Sequence, residues 1–138
     1  MKFCYRAPNE VGPFVLGASL SPELPSAVVR KISSTHYESA NGIQPYTVFV
    51  DGEEAAILDV KMGVIDAITA LSSFIVGKIE MIGADIAVFE RAIGEKYRVA
   101  TPVRHDDGST VQYLDYIENR FIVTTEDNVI TSVCLYNQ

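Results

Sequence analysis

Two short stretches of the chain repeat each other's chemistry. LGASL (16–20) and IGADI (82–86) align with Gly17 on Gly83, Ala18 on Ala84 and Ser19 on Asp85, between apolar flanks. Ser and Asp share one ability: a short side-chain oxygen that caps the free amides of a helix start. Self-similarity at a fixed spacing constrains a fold strongly, because each copy is one supersecondary unit that must lean on its neighbour. A second alignment, at an offset of 73, lays VFVDGEEAAILDV (48–60) on FIVTTEDNVITSV (121–133) without a gap, with Glu53 and Glu54 on Glu126 and Asp127. The first alignment has an offset of 66, so the second copy carries seven extra residues, placed at 99–110 around HDDGS. The expectation is one domain over residues 1–138, with pseudo-repeats at about 12–62 and 77–136, long enough to bury its own core.

Periodicity and turn chemistry then predict the elements. FCYR (3–6) reads as an edge strand and FVLGA (14–18) as a second strand. In SPELPSAVVRKI (21–32), Ser21 and Pro22 open a helix whose Leu24, Val28 and Ile32 recur every fourth residue. Pro25 lacks an amide that such a helix needs, so the alternative start is Pro25 itself. The polar stretch 33–45 reads as a loop. YTVFV (46–50) and AAILDVKM (55–62) flank the turn DGEE, and GVIDAITALSSF (63–74) reads as a linking helix. KIEMI (78–82) leads into a helix capped by Asp85, buried along Ile86, Phe89, Ala92 and Ile93, and stopped at Gly94. RVATPVR (98–104) is extended, TVQYLDY (110–116) alternates, and FIVT (121–124) pairs with VITSVCLY (129–136). The expected class is α+β: a mostly antiparallel sheet with helices on one face, built from a duplicated strand–helix–hairpin unit. The opposite sheet face would be free to meet another molecule.

This order of elements, with Gly83, Asp85 and Gly94 marking the way into and out of a helix, resembles two families. One is the β-lactamase inhibitor proteins, built from two such repeats. The other is the small lipoproteins of the outer-membrane assembly machinery, which hold one. The resemblance implies a non-catalytic sheet that grips another protein, and it carries over no binding residue. The chain differs from both families in showing no export signal, and from the inhibitors in its cysteine arrangement.

Charge narrows the partners. Asp and Glu number 18 against 11 Lys and Arg, a net charge of −7, which disfavours nucleic acid and anionic membranes and steers toward a basic partner. The opening MKFCYRAPNE has no apolar signal region, and the run 62–77 is too short and carries Asp66, so a cytoplasmic location is expected. Cys4 and Cys134 read as free thiols, with a bridge between them possible only if the first and last strands are neighbours. Two cysteines make no metal site, and no phosphate loop, G-x-S-x-G or H-E-x-x-H occurs. No cofactor is expected.

The residues left over point to binding. Asp51, Glu53, Glu54, Asp106, Asp107, Glu126 and Asp127 lie in turns that form an acidic rim if the repeats bring them together. Tyr113 and Tyr116, with Tyr46, Tyr97 and Tyr136, supply aromatic rings of the kind that anchor protein interfaces. Tyr113 and Tyr116 have opposite strand parity, so only one of them need face the core. Size, acidity and absence of motifs are similar to those of bacterial immunity proteins, which neutralise a toxin domain by covering its active site. Two rival expectations stand beside it: an enzyme or ligand-binding domain with a pocket around His36 or His105, and a structural homodimer joined through the sheet face.

Overall fold

The structure, a computed structural model, describes residues 2–20 and 27–137. A small sheet comes first: β1 (Tyr5–Arg6), β2 (Glu10–Val11) and β3 (Phe14–Val15). Then follow β4 (Ala27–Lys31), α1 (His36–Ala40), β5 (Ile43–Val50), β6 (Glu53–Lys61) and β7 (Val64–Ala70). A two-stranded hairpin, β8 (Ile75–Val76) and β9 (Ile79–Glu80), leads into α2 (Ile86–Ile93). The chain ends with β10 (Val99–Arg104), β11 (Thr110–Tyr116), β12 (Phe121–Glu126) and β13 (Val129–Tyr136). The large sheet is antiparallel throughout, in the order β10-β11-β12-β13-β7-β6-β5-β4. It consists of two four-stranded meanders joined through their last strands, β7 and β13.

The expected α+β class is therefore wrong: strands hold 53% of the residues and helices 10%, a mostly β protein. Of the helix expected at 21–32, residues 21–26 lie outside the described part, and Ala27–Lys31 is a strand. The misreading has a simple cause. Residues four apart share a face of a helix, but they also share a face of a strand, whose period is two. Val28 and Ile32 form that shared face and are exposed, while Val29 packs on the core. The linking helix expected at 63–74 is the central strand β7, whose neighbours on both sides bury Ile65, Ala67, Ile68 and Ala70. Its burial alternates but slips between Ala67 and Ile68, beside the register shift at Asp59/Val60, which breaks the period of two, and its β-branched residues decide the matter. The loop expected at 33–45 contains α1, announced by Thr35-x-x-Glu38: the Glu38 amide donates to Thr35 Oγ1 (3.1 Å) and the Thr35 amide donates to Glu38 Oε1 (2.8 Å). That helix buries no side chain.

The helix read from 85–94 is present as described by its caps. The Ala87 amide donates to Asp85 Oδ1 (2.9 Å), and Gly94 closes the last turn at φ 72° with its amide on the Glu90 carbonyl. It rests on the sheet through Phe89, which packs edge-on against Tyr116 (5.2 Å) and Phe121 (5.5 Å). Phe74 and Tyr5 continue this cluster, so α2, the small sheets and the large sheet share one core.

The two halves use their backbones alike. Gly17 N donates to Ile65 O and Gly83 N to Ile130 O, both at 2.8 Å. The return bonds, Ile65 N to Ala18 O and Ile130 N to Ala84 O, are both 2.9 Å. Ser19 bridges Val64 as Asp85 bridges Val129. A register shift at Asp59/Val60 is matched by one at Thr124/Thr125. These pairs place β6–β7 opposite β12–β13, so the alignment of 48–60 with 121–133 is out by one hairpin. It matched two turns of similar composition that occupy different positions in their meanders. On this correspondence the first meander runs through β7 to Ala70. Cys4 and Cys134 are free thiols in different parts of the fold: Cys4 bridges Ile75, whereas Cys134 lies opposite Thr69 in the large sheet.

Candidate functional site at one end of the sheet

Tight turns put the charges where they are. The β5–β6 turn has Asp51 and Gly52 at φ 52° and 81°, and the β12–β13 turn has Asp127 and Asn128 at φ 52° and 65°. Two successive left-handed residues make the turn whose twist matches paired strands, and Asp, Asn and Gly enter it at least cost. The longer β10–β11 turn closes with His105 N on Ser109 O (2.9 Å). Inside it, Asp107 Oδ1 accepts from the Ser109 hydroxyl (2.6 Å) and amide (2.9 Å), which holds that carboxyl below its usual range.

Strand direction then brings the turns together. β6 and β13 flank β7 and run parallel to each other, as do β11 and β13 on either side of β12. All three strands begin at the same end of the sheet, directly after the three acidic turns. Asp51, Glu53, Glu54, Asp106, Asp107, Glu126 and Asp127 are all exposed there. The opposite end mixes both signs, with Lys31, Lys61 and an Arg98–Glu118 ion pair at 3.0 Å.

The two tyrosines separate. Tyr113, 42% exposed, faces outward between Thr101 and Thr124. Tyr116 is fully buried and donates its hydroxyl to Glu90 Oε2 (3.0 Å), so it belongs to the core and cannot touch a partner. Burial first, and then the Glu90 carboxylate, push that phenol far above its ordinary range. Tyr136 lies on the outer face and donates to Asp115 Oδ1 (2.9 Å); burial and that carboxylate raise it to about 12. Tyr46 packs on the core and Tyr97 stays 45% exposed.

A polar notch of about 200 Å³ lies within the acidic end, lined by Thr110, Gln112, Thr125, Asp127 and Asn128. Four of these residues escaped the sequence reading. The available signal was polarity at core parity: Thr125 shares its face with Phe121 and Val123 and is 2% exposed. A wider depression of about 410 Å³ runs along α2, lined by Ala87, Glu90, Arg91, Gly94, Glu95 and Lys96. Its carboxylates are engaged in holding the fold. Glu95 accepts from the amides of Glu118 and Asn119 (3.0 Å each) and from Asn119 Nδ2 (2.8 Å). Burial alone would raise the Glu95 carboxyl; these donors outweigh it and hold it below the usual range.

Neither histidine lines either cavity: His36 opens α1 and His105 opens the β10–β11 turn, both exposed. Among the described residues no group of His, Cys, Asp and Glu is arranged to hold a metal ion. No helix of the described residues is long and apolar enough to cross a membrane. No family model, curated protein or solved structure matches the chain.

Proposed function

We propose that the protein binds and neutralises a basic protein partner through the acidic end of its large sheet. The most concrete form of this reading is an immunity protein that covers the active site of a toxin domain. The observation that carries it is the convergence of three acidic turns, set 55 and 21 residues apart in the chain (Asp51 to Asp106, Asp106 to Asp127), onto one end of an antiparallel sheet. Turn tips on a packed scaffold are where binding residues are held in place at low cost. Clustered like charge speeds encounter with an oppositely charged surface and suppresses wrong partners. A cytoplasmic location accords with two free thiols. The same reading takes the two halves as copies of one ancestral unit.

A homodimer joined strand to strand finds an obstacle at one sheet edge. The His105 N to Ser109 O bond fixes the ladder so that Val99, Thr101 and Val103 bond to β11 and the alternate residues face outward. Pro102 is one of these, and it has no amide to offer a second strand.

The test is co-expression with a toxin domain encoded by the neighbouring reading frame, followed by titration of the purified pair. The expected result is a 1:1 complex that protects cells, weakens at least tenfold between about 0.05 and 0.5 M salt, and weakens again when Asp51, Glu54, Asp106 and Glu126 are made neutral. Absence of both complex and protection removes the immunity reading; a complex indifferent to salt and to the neutral variant removes the acidic end as its surface.

A further inference from the structure

We propose that the notch lined by Thr110, Gln112, Thr125, Asp127 and Asn128 is a socket for an arginine side chain of the protein partner. This rests on the acidic-end reading and narrows it to one subsite. The notch, about 200 Å³, falls below the roughly 300–1,000 Å³ of small-molecule pockets and suits a single side chain. Its lining is two hydroxyls, two amides and one carboxylate. That set offers acceptors in several directions and only one full charge. A guanidinium presents five donors in a planar fork and loses less on partial dehydration than an ammonium, so it fits such a lining better than lysine does.

Comparison of the two halves shows that the lining is unspent. Gln44 lies opposite Val60, and Gln112 lies opposite Thr125, at matching places in their meanders. Gln44 uses its Nε2 on the carbonyls of Ile32 (2.7 Å) and Pro45 (2.9 Å). In the second half the outer ladder runs on through Pro102–Gln112, Val103–Val111 and Arg104–Thr110. By that register Thr101 and Tyr113 stand where Ile32 and Pro45 stand beside Gln44, yet Gln112 makes no side-chain hydrogen bond among the described residues. Thr125 replaces the apolar Val60, is 2% exposed, and likewise makes no side-chain hydrogen bond among the described residues. Among the described residues Ser73 Oγ is the only sealed side-chain polar atom without a partner, so the unbonded Thr125 hydroxyl reaches solvent through the notch and is open to an incoming group. Asp127 stands at the mouth, on a turn whose backbone α2 holds through Ile86 N on Asn128 O (3.1 Å).

The probe is a tetra-arginine peptide titrated into the isotope-labelled full chain, with tetra-lysine and tetra-glutamate beside it, followed by amide shifts. Saturable shifts centred on Thr110, Gln112, Thr125 and Asn128 are expected, at least threefold tighter for arginine than for lysine, and absent for glutamate. Thr125→Val and Asp127→Asn, both compatible with their backbones, should each weaken binding three- to tenfold with the spectrum otherwise unchanged. If shifts spread evenly over the acidic end and these variants bind as the parent does, the socket is wrong while the acidic end survives. If no basic peptide binds at all, the socket fails, and the acidic end stands or falls separately on the salt dependence of the toxin complex and on its neutral variant.

Discussion

Truncating Phe89 to alanine should remove about 3–5 kcal/mol of stability, the range for a buried aromatic in a packed core. The structure says why the upper half of that range applies. Phe89 is the only buried residue of α2 and has no exposed surface. Its ring meets Tyr116 and Phe121 edge-on at 5.2 and 5.5 Å and Phe74 at 6.5 Å. Such edge-on pairs add about 0.5–1.5 kcal/mol beyond area burial. A domain of this size has only about 5–15 kcal/mol in total, so the variant should lose much of its cooperative margin. The assay is urea unfolding followed by fluorescence and far-ultraviolet dichroism. Phe89→Leu should cost under half as much, since it refills most of the volume, and Arg91→Ala on the outer face should stay within about 0.5 kcal/mol. A loss below about 1.5 kcal/mol for Phe89→Ala would refute the reasoning: α2 would then be held by its bonds to the 127–128 turn and its caps instead of by its one ring. The same measurement bears on the candidate site, because α2 braces that turn through the Ile86 amide.

Three further outcomes follow from local chemistry. Asp59 is raised by burial and by the Glu38 and Asp66 carboxylates, so its native proton is held more tightly than in the unfolded chain; stability on its account falls as pH rises from about 4 through the raised value, and Asp59→Asn should raise Tm at pH 7 and merge with the parent below about pH 4. Glu95 has the opposite sign: its stabilisation is present above about pH 4.3 and is lost as pH falls through its depressed native value. Glu95→Gln should therefore cost about 1–3 kcal/mol at pH 7, judged from hydrogen bonds to a charged acceptor, and flatten the acid limb of a Tm–pH curve. Gly94→Ala meets open space but must hold φ 72°, so urea unfolding should show a loss of roughly 1–2 kcal/mol with no change in slope.

Turn and cap chemistry was legible because it is local. Asp51-Gly52, Asp127-Asn128, Asp85 and Gly94 each announce a backbone conformation that few other residues accept. The strands β11 and β13 were bounded as read; β11 alternates, and β13 alternates from Ser132 onward, past its register shift. What failed was long-range in origin. Val64–Ala70 looks helical because its inward residues break step between Ala67 and Ile68, beside the register shift at Asp59/Val60, and nothing inside the segment reveals the neighbour that causes the shift. Ala27–Lys31 failed because a spacing of four satisfies both periods. Tyr116 was placed on a binding face because parity says that two tyrosines diverge without saying which one turns inward; packing against Phe89 settles that. The acidic turns were visible as residues. Their convergence depends on β13 pairing with β7, which no short stretch encodes.

Comparison of the halves separates scaffold from site. Features present in both, such as the Gly17 and Gly83 bonds, the Ser19 and Asp85 bridges and the paired register shifts, need only the fold to explain them. Asp85 is thereby a cap and a bridge. Features present in one half only need another explanation. β10 is exposed along its whole length and on both faces, so burial does not account for the extra rungs of its ladder. Those rungs carry HDDGS out to the acidic end, and Gln112, beside Thr125, makes neither of the side-chain bonds that Gln44 makes. An apolar pair there would pack better against the core, as Val60 does in the first half. A polar lining in its place buries less apolar surface, which is the pattern expected where binding, rather than folding, has set the residues.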